Sequence, residues 1–257
     1  SWPDPAQYFD FELMEKRMAI LKRDYASCAI GARAVNSYGP FEQASVLRGR
    51  ESFLMDTLLQ PEIAQKLIGR CTDVIVRGQQ VYLDRVGSDI DFFEIPGDDY
   101  GANTNLMFSP ASFRKMIKPA LARIAQSVKD YRSDLPVVFH SDGAITDIIP
   151  YLIEIGIDVL IALERLPATD WSMIKRQYGE SLCFMGGIDV REAMTGPVEG
   201  VVKEVQRQIG IFGPGGGYIL TTANHLQTDV PPENIVAMFD AGREFGQYPL
   251  DLSRKEQ

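Results

Sequence analysis

The side chains of this chain that could do chemistry are a small set of acids and imidazoles: Asp98 and Asp99, His140 and Asp142, Asp189, and the Asn224-His225 pair. There are only two histidines, and each stands at or just past a short run of β-type residues, 137–140 and 218–222. A histidine near its ordinary pKa of about 6.5 can give or take a proton at neutral pH, and a neighbouring carboxylate can orient it or hold a cation. His140, Asp142, His225 and Asp98 are therefore the candidate catalytic residues. Asp99, Tyr100, Asp189, Asn224 and Glu164 are the candidate substrate-binding residues. Each also has a structural reading. Asp98 or Asp99 could cap the loop before Ser109, Asp142 could be the N-cap of the next helix, Asp189 could stabilise its own turn, and Glu164 with Arg165 could form a solvated ion pair. Tyr38 and Glu42 are weaker candidates beside the first strand.

The elements that must hold these residues alternate regularly. Strands are predicted at residues 28–30, 91–95, 137–140, 158–162, 182–185 and 218–222. Helices are predicted over 7–24, up to about 59, 61–86, 110–131, 145–154, 167–178, 198–211 and, after Pro231-Pro232, 233–245. Pro61 suits a first helical turn, and Ser109-Pro110 reads as an N-cap followed by its first helical residue. Such alternation implies parallel strands buried on both faces. Six β/α units are visible where a (β/α)8 TIM barrel has eight. The chain is then an open parallel sheet or a barrel whose first two units are missing. Polar residues follow several different strand ends, which favours the barrel, because a doubly wound sheet gathers them at one switch point.

Composition narrows the classes. With 257 residues and 45% hydrophobic content, one α/β domain spanning 1–257 can bury a large core. A net charge of -9 argues against a general nucleic-acid surface. The three cysteines are odd in number and far apart, so a disulfide framework is not expected and a reducing compartment is. No apolar run approaches the roughly 20 residues needed to cross a bilayer, and SWPDPAQYFDFE does not read as a signal peptide. The expectation is a cytoplasmic enzyme acting on a small molecule, with no nucleic-acid or membrane partner.

Several short blocks in order carry a family resemblance: Gly39-Pro40-Phe41-Glu42 with Leu47-Arg48-Gly49, Gly97-Asp98-Asp99-Tyr100-Gly101, Ser109-Pro110, His140-Ser141-Asp142-Gly143, Gly186-Gly187-Ile188-Asp189, Pro214-Gly215-Gly216-Gly217-Tyr218, and Val230-Pro231-Pro232-Glu233-Asn234. The ordered set resembles the uroporphyrinogen decarboxylase superfamily over nearly the whole chain. The resemblance implies a (β/α)8 barrel with its two amino-terminal strands absent here. In the family's true decarboxylases that region supplies substrate-binding arginines and an aspartate. Asp98-Asp99 also replaces a serine-histidine pair, and Gly187-Ile188-Asp189 departs from a glycine-asparagine-leucine-aspartate pattern.

These departures resemble the superfamily's methyltransferase branch, whose members move methyl groups to or from a corrinoid protein or a thiol coenzyme. The resemblance implies methyl transfer, with uroporphyrinogen decarboxylation in porphyrin biosynthesis as the alternative. That branch often holds zinc with a His-x-Cys pair and a later cysteine. Here the pair is His140-x-Asp142, no cysteine lies near the last strand, and His225 is the remaining ligand, so the metal set would be His140, Asp142 and His225. Zinc and a corrinoid carried by a partner protein are the implied cofactors, and neither is expected for a decarboxylase. A barrel short of two strands exposes its edges. This adds the expectation of a homo-oligomer, or of a split, non-catalytic form that binds a partner.

Overall fold

The computed structural model describes residues 2, 4–34, 36 and 38–251. The protein is α/β, with six parallel strands alternating with helices in the manner of a TIM barrel. It divides into two compact units, residues 1–100, 107–140 and 147–158 in the first and 101–106, 141–146 and 159–257 in the second.

The first unit holds α1 (Phe11–Asp24), β1 (Gly31–Arg33), α2 (Pro40–Arg48), α3 (Arg50–Leu59), α4 (Pro61–Val86) and β2 (Phe92–Glu94). It continues through α5 (Pro110–Ser112), a π-helical turn (Phe113–Ile117), α6 (Lys118–Tyr131), β3 (Val137–His140) and α7 (Ile149–Glu154). Strands β1, β2 and β3 pair in sequence order, Gly31 opposite Phe92 and Phe93 opposite Val137. The Asp158 carboxylate fixes the start of β3, accepting the Val137 N–H at 2.8 Å and the Lys129 ammonium at 2.7 Å. The core is aromatic: the Phe41, Phe53, Phe113 and Phe139 rings gather around Tyr100 and one another at centroid distances of 5.3–6.0 Å. Edge-to-face and offset stacking of this kind adds to the burial of apolar area.

The second unit holds β4 (Val159–Ile161), α8 (Trp171–Tyr178), β5 (Cys183–Ile188), α9 (Val198–Phe212), β6 (Tyr218–Thr222) and α10 (Pro232–Phe245). Its strands also pair in parallel and in order, Val159 with Cys183 and Phe184 with Tyr218. Ile188, Met194, Val201, Val205, Ile209 and Met238 pack β5 against α9 and α10.

Several boundaries differ from those the sequence suggests. The first strand lies at Gly31–Arg33, beyond residues 28–30, because Cys28 is caught in a turn closed by its N–H to the Tyr25 carbonyl at 2.9 Å. Gly31 enters the sheet because a Cβ there would collide with the Phe92 ring, so pairing outweighs its poor strand propensity. Residues 7–24 are not one helix: a 3-10 turn at Pro5–Tyr8 precedes α1, whose start Asp10 caps through the Leu13 N–H at 3.0 Å. Gly49, at φ 86°, separates α2 from α3. Asp170 caps α8 at Met173, so that helix starts later than residue 167. Strand β5 runs on through Gly186 and Gly187, at φ 120° and 93°, although two glycines in a row read as loop.

Candidate functional site

The polar residues at the strand ends are positioned by close backbone approach. In the first unit, the N–H of Asp98 donates to the His140 carbonyl at 3.1 Å, bringing the end of β3 beside the loop after β2. Gly97 permits this, since a Cβ there would stand 3.0 Å from the His140 Cβ and 3.1 Å from its carbonyl oxygen. The half-buried His140 imidazole has its Nε2 at 3.8 Å from the Asp99 Oδ1. That distance suits attraction to a protonated ring and exceeds a direct hydrogen bond.

Asp98 faces the other way and is wholly buried. Its carboxylate accepts the Phe41 N–H at 3.0 Å and the Glu42 N–H at 2.8 Å, the free amides at the start of α2, and the Tyr100 hydroxyl at 2.9 Å. An acid is suited to a helix start, where unpaired N–H groups and the helix dipole favour negative charge. Burial nevertheless pushes its pKa up to about 8, against the three donors that pull it down. Tyr100, also wholly buried, is pushed upward by burial and by Asp98. Burial raises Glu42 too, and the adjacent Asp99 charge adds to the effect.

In the second unit, the half-buried Asp142 Oδ2 accepts the Asn224 side-chain amide at 2.8 Å, and Asn224 in turn accepts the His225 N–H at 2.7 Å. The His225 side chain is exposed, on the loop after β6. Asp142 is not a helix cap, because the next helical turn starts only at Thr146. Gly143, at φ 86°, packs its backbone on Gly101 and donates its N–H to the Glu164 Oε2 at 3.1 Å. The other oxygen of Glu164 pairs with Arg191, not with the adjacent Arg165. Ala162, just past β4, takes a left-handed φ of 71°, a strained value for a residue with a side chain. The Glu164 N–H then bonds back to its carbonyl at 2.9 Å. Asp189 closes its own turn, accepting the N–H groups of Arg191, Glu192 and Ala193 at 3.3, 2.9 and 3.2 Å.

The geometry thus joins His140 with Asp99 in one unit, and Asp142 with Asn224 and Glu164 with Gly143 in the other. Sequence reasoning missed Arg191 and the strained Ala162. Arg191 follows Asp189 by two residues on a strand-end loop, a signal that was available, whereas nothing in the residue type marks Ala162.

Residues 30–245 match the family model for uroporphyrinogen decarboxylase (URO-D). The chain belongs to the URO-D family. Among curated URO-D family relatives it is 30% identical over 128 residues to a uroporphyrinogen decarboxylase of Anaeromyxobacter dehalogenans, covering 50% of this chain and 35% of that protein. It is 26% identical over 208 residues to the methylated-thiol--coenzyme M methyltransferase of Methanosarcina mazei, covering 80% of this chain and 51% of that one. The chain thus spans about a third to a half of the length of these two relatives. A solved methyltransferase from Methanosarcina mazei shares the fold, with a TM-score of 0.71 at 20% identity over 91% of this chain and 64% of that chain. Among the described residues no helix is long and apolar enough to cross a membrane.

Proposed function

We propose that this URO-D family chain transfers a methyl group from a small methylated donor to a thiol or to a corrinoid carried by a partner protein. The observation that carries the reading is the 3.8 Å approach of His140 Nε2 to Asp99, with Asp98 turned away into the core. The strand lip therefore offers one imidazole beside one carboxylate. A thiolate or a bound corrinoid would supply the nucleophile for the methyl carbon. As the bond from that carbon to the donor heteroatom breaks, its electron pair stays on the heteroatom, and the His140 imidazole beside Asp99 is the group placed to give it a proton.

The residues suit a divalent ion only through nitrogen and oxygen. Cys28 is exposed in a turn before β1, Cys71 is buried in α4 with burial pushing its pKa up to about 11, and Cys183 opens β5 at the end away from the strand's C-terminus. A thiolate-rich zinc site is therefore not what these positions build. His140 and Asp99 are the ligands we assign in the first unit, while the second unit separately offers Asp142 and, on an exposed loop, the His225 imidazole. A bound ion would polarise the methylated heteroatom or a thiol.

Uroporphyrinogen decarboxylation is the second reading, favoured by the 30% identity to a relative of that name. Incubating the protein with methylated thiols, methylated amines or methoxylated donors, with a thiol or corrinoid-protein acceptor, beside uroporphyrinogen, tests both. Methyl transfer that is lost in His140→Gln supports the proposal. Release of carbon dioxide from uroporphyrinogen with no methyl transfer overturns it.

A further inference from the structure

A cavity of about 420 Å3 opens at the C-terminal ends of β4 and β5, walled by Arg165, Leu166, Pro167, Asp189, Arg191 and Glu192. That volume lies within the range of small-molecule sites, about 300–1,000 Å3. Four of its walls are charged, and two of those charges are already committed. Asp189 accepts three N–H groups of its own turn, and Arg191 is paired with Glu164. Arg165 and Glu192 remain. They make no side-chain hydrogen bond or ion pair among the described residues, with each other or with any other group, although they carry opposite charges on one cavity.

We propose that this cavity binds a small zwitterion, with Arg165 taking an oxyanion end, Glu192 an ammonium or methylated ammonium end, and Leu166 and Pro167 the carbon between. A simple anion would meet the Glu192 carboxylate, a simple cation would meet the Arg165 guanidinium, and a neutral molecule would desolvate both charges without compensation. A zwitterion matches both. Glu164 ties the cavity to the turn beside Asp142, since it holds Arg191 with one oxygen and the Gly143 N–H with the other. As the substrate class for methyl transfer, the assignment rests on the reading above. As a binding site it does not.

Trp171 supplies a readout independent of activity, because its indole N–H donates to the Glu164 carbonyl at 2.7 Å. In a Trp2→Phe background, the Trp171 emission is titrated with glycine betaine, with 3,3-dimethylbutyrate, which has the same shape without the cation, and with tetramethylammonium. The expected result is that betaine binds at least about tenfold tighter than either singly charged probe. Arg165→Gln should reduce betaine binding toward the tetramethylammonium level, and Glu192→Gln toward the dimethylbutyrate level. Both side chains are exposed and unpaired, so these variants are expected to fold. Equal binding of the three probes, or betaine affinity unchanged in both variants, overturns the proposal. If betaine binds as expected and methyl transfer is absent with every donor and acceptor, the subsite stands and the methyl-transfer reading falls.

Discussion

The Asn224 side-chain amide donates to the Asp142 carboxylate at 2.8 Å, tying the loop after β6 to the turn that follows β3. A hydrogen bond to a charged acceptor is worth about 1.5–3 kcal/mol, and partial exposure of both groups lowers that. Asn224→Ala should therefore cost about 1 kcal/mol of unfolding free energy. Asn224→Asp should cost more than Asn224→Ala, because it sets a second carboxylate against Asp142 where the amide donated. Urea melts of both variants check this. Identical behaviour of the two variants would show that the contact does not form.

Asp98 gives a pH signature. Its carboxyl is pushed up to about 8 in the folded protein, whereas an unfolded aspartate releases its proton near about 4. Between these values the folded state holds a proton that the unfolded chain has lost. The stability from this group is thus complete below about pH 4 and is lost as pH rises through about 8, at up to about 1.4 kcal/mol per pH unit. Asp98→Asn removes that dependence. The difference between wild-type and variant unfolding free energies, followed from pH 5 to 8, should slope accordingly, and a flat difference would falsify the buried, protonated state.

Gly143 is at φ 86°, and a Cβ there would run into the Gly101 backbone. Neither side of that contact is a flexible side chain that could swing away. Gly143→Ala should destabilise the protein by about 1–3 kcal/mol and disturb the Asp142 and Glu164 contacts together. Thermal unfolding measures the first effect. The quench or shift of Trp171 emission, through Glu164, measures the second. A variant that melts with the wild type while keeping its emission would contradict the close packing.

The His140 and Asp99 assignment predicts a separation of function from folding. His140→Gln should lower methyl-transfer turnover by about 100-fold or more, with only a small change in the unfolding midpoint, because the ring is half-buried at a strand end. If a divalent ion is bound, elemental analysis should show less of it in His140→Gln than in the wild type. Equal metal content with equal turnover would remove His140 from the site.

Much of this was legible in the residues. Four β-type residues ending in His140 are a strand because nothing in them suits a helix or a turn, and Ser109-Pro110 caps its helix through the Ser112 N–H as its spelling suggests. β1 was harder. Gly-Ala-Arg has no strand propensity of its own and is set by pairing to Phe92, an interaction separated by 61 residues. The carboxylates were legible as types but not as partners. Asp98 and Asp99 are neighbours in the chain, yet one serves the amides of α2 and the other faces His140, and only the fold decides which. The Glu164 partner was also set by folding, since Arg191 comes from a different loop than the adjacent Arg165.

The buried Asp98 also bears on how activity could be moved between scaffolds. An engineer copying the loop after β2 into another barrel would take Asp98 as half of an acidic dyad and aim a substrate at it. Without an entering helix whose first amides meet it, the transplanted acid would be a buried polar group lacking those hydrogen-bond donors in an aromatic core, and the graft would fail in folding before its chemistry could be assayed. The portable unit is the loop together with Gly39 and residues 40–42 of the helix it anchors.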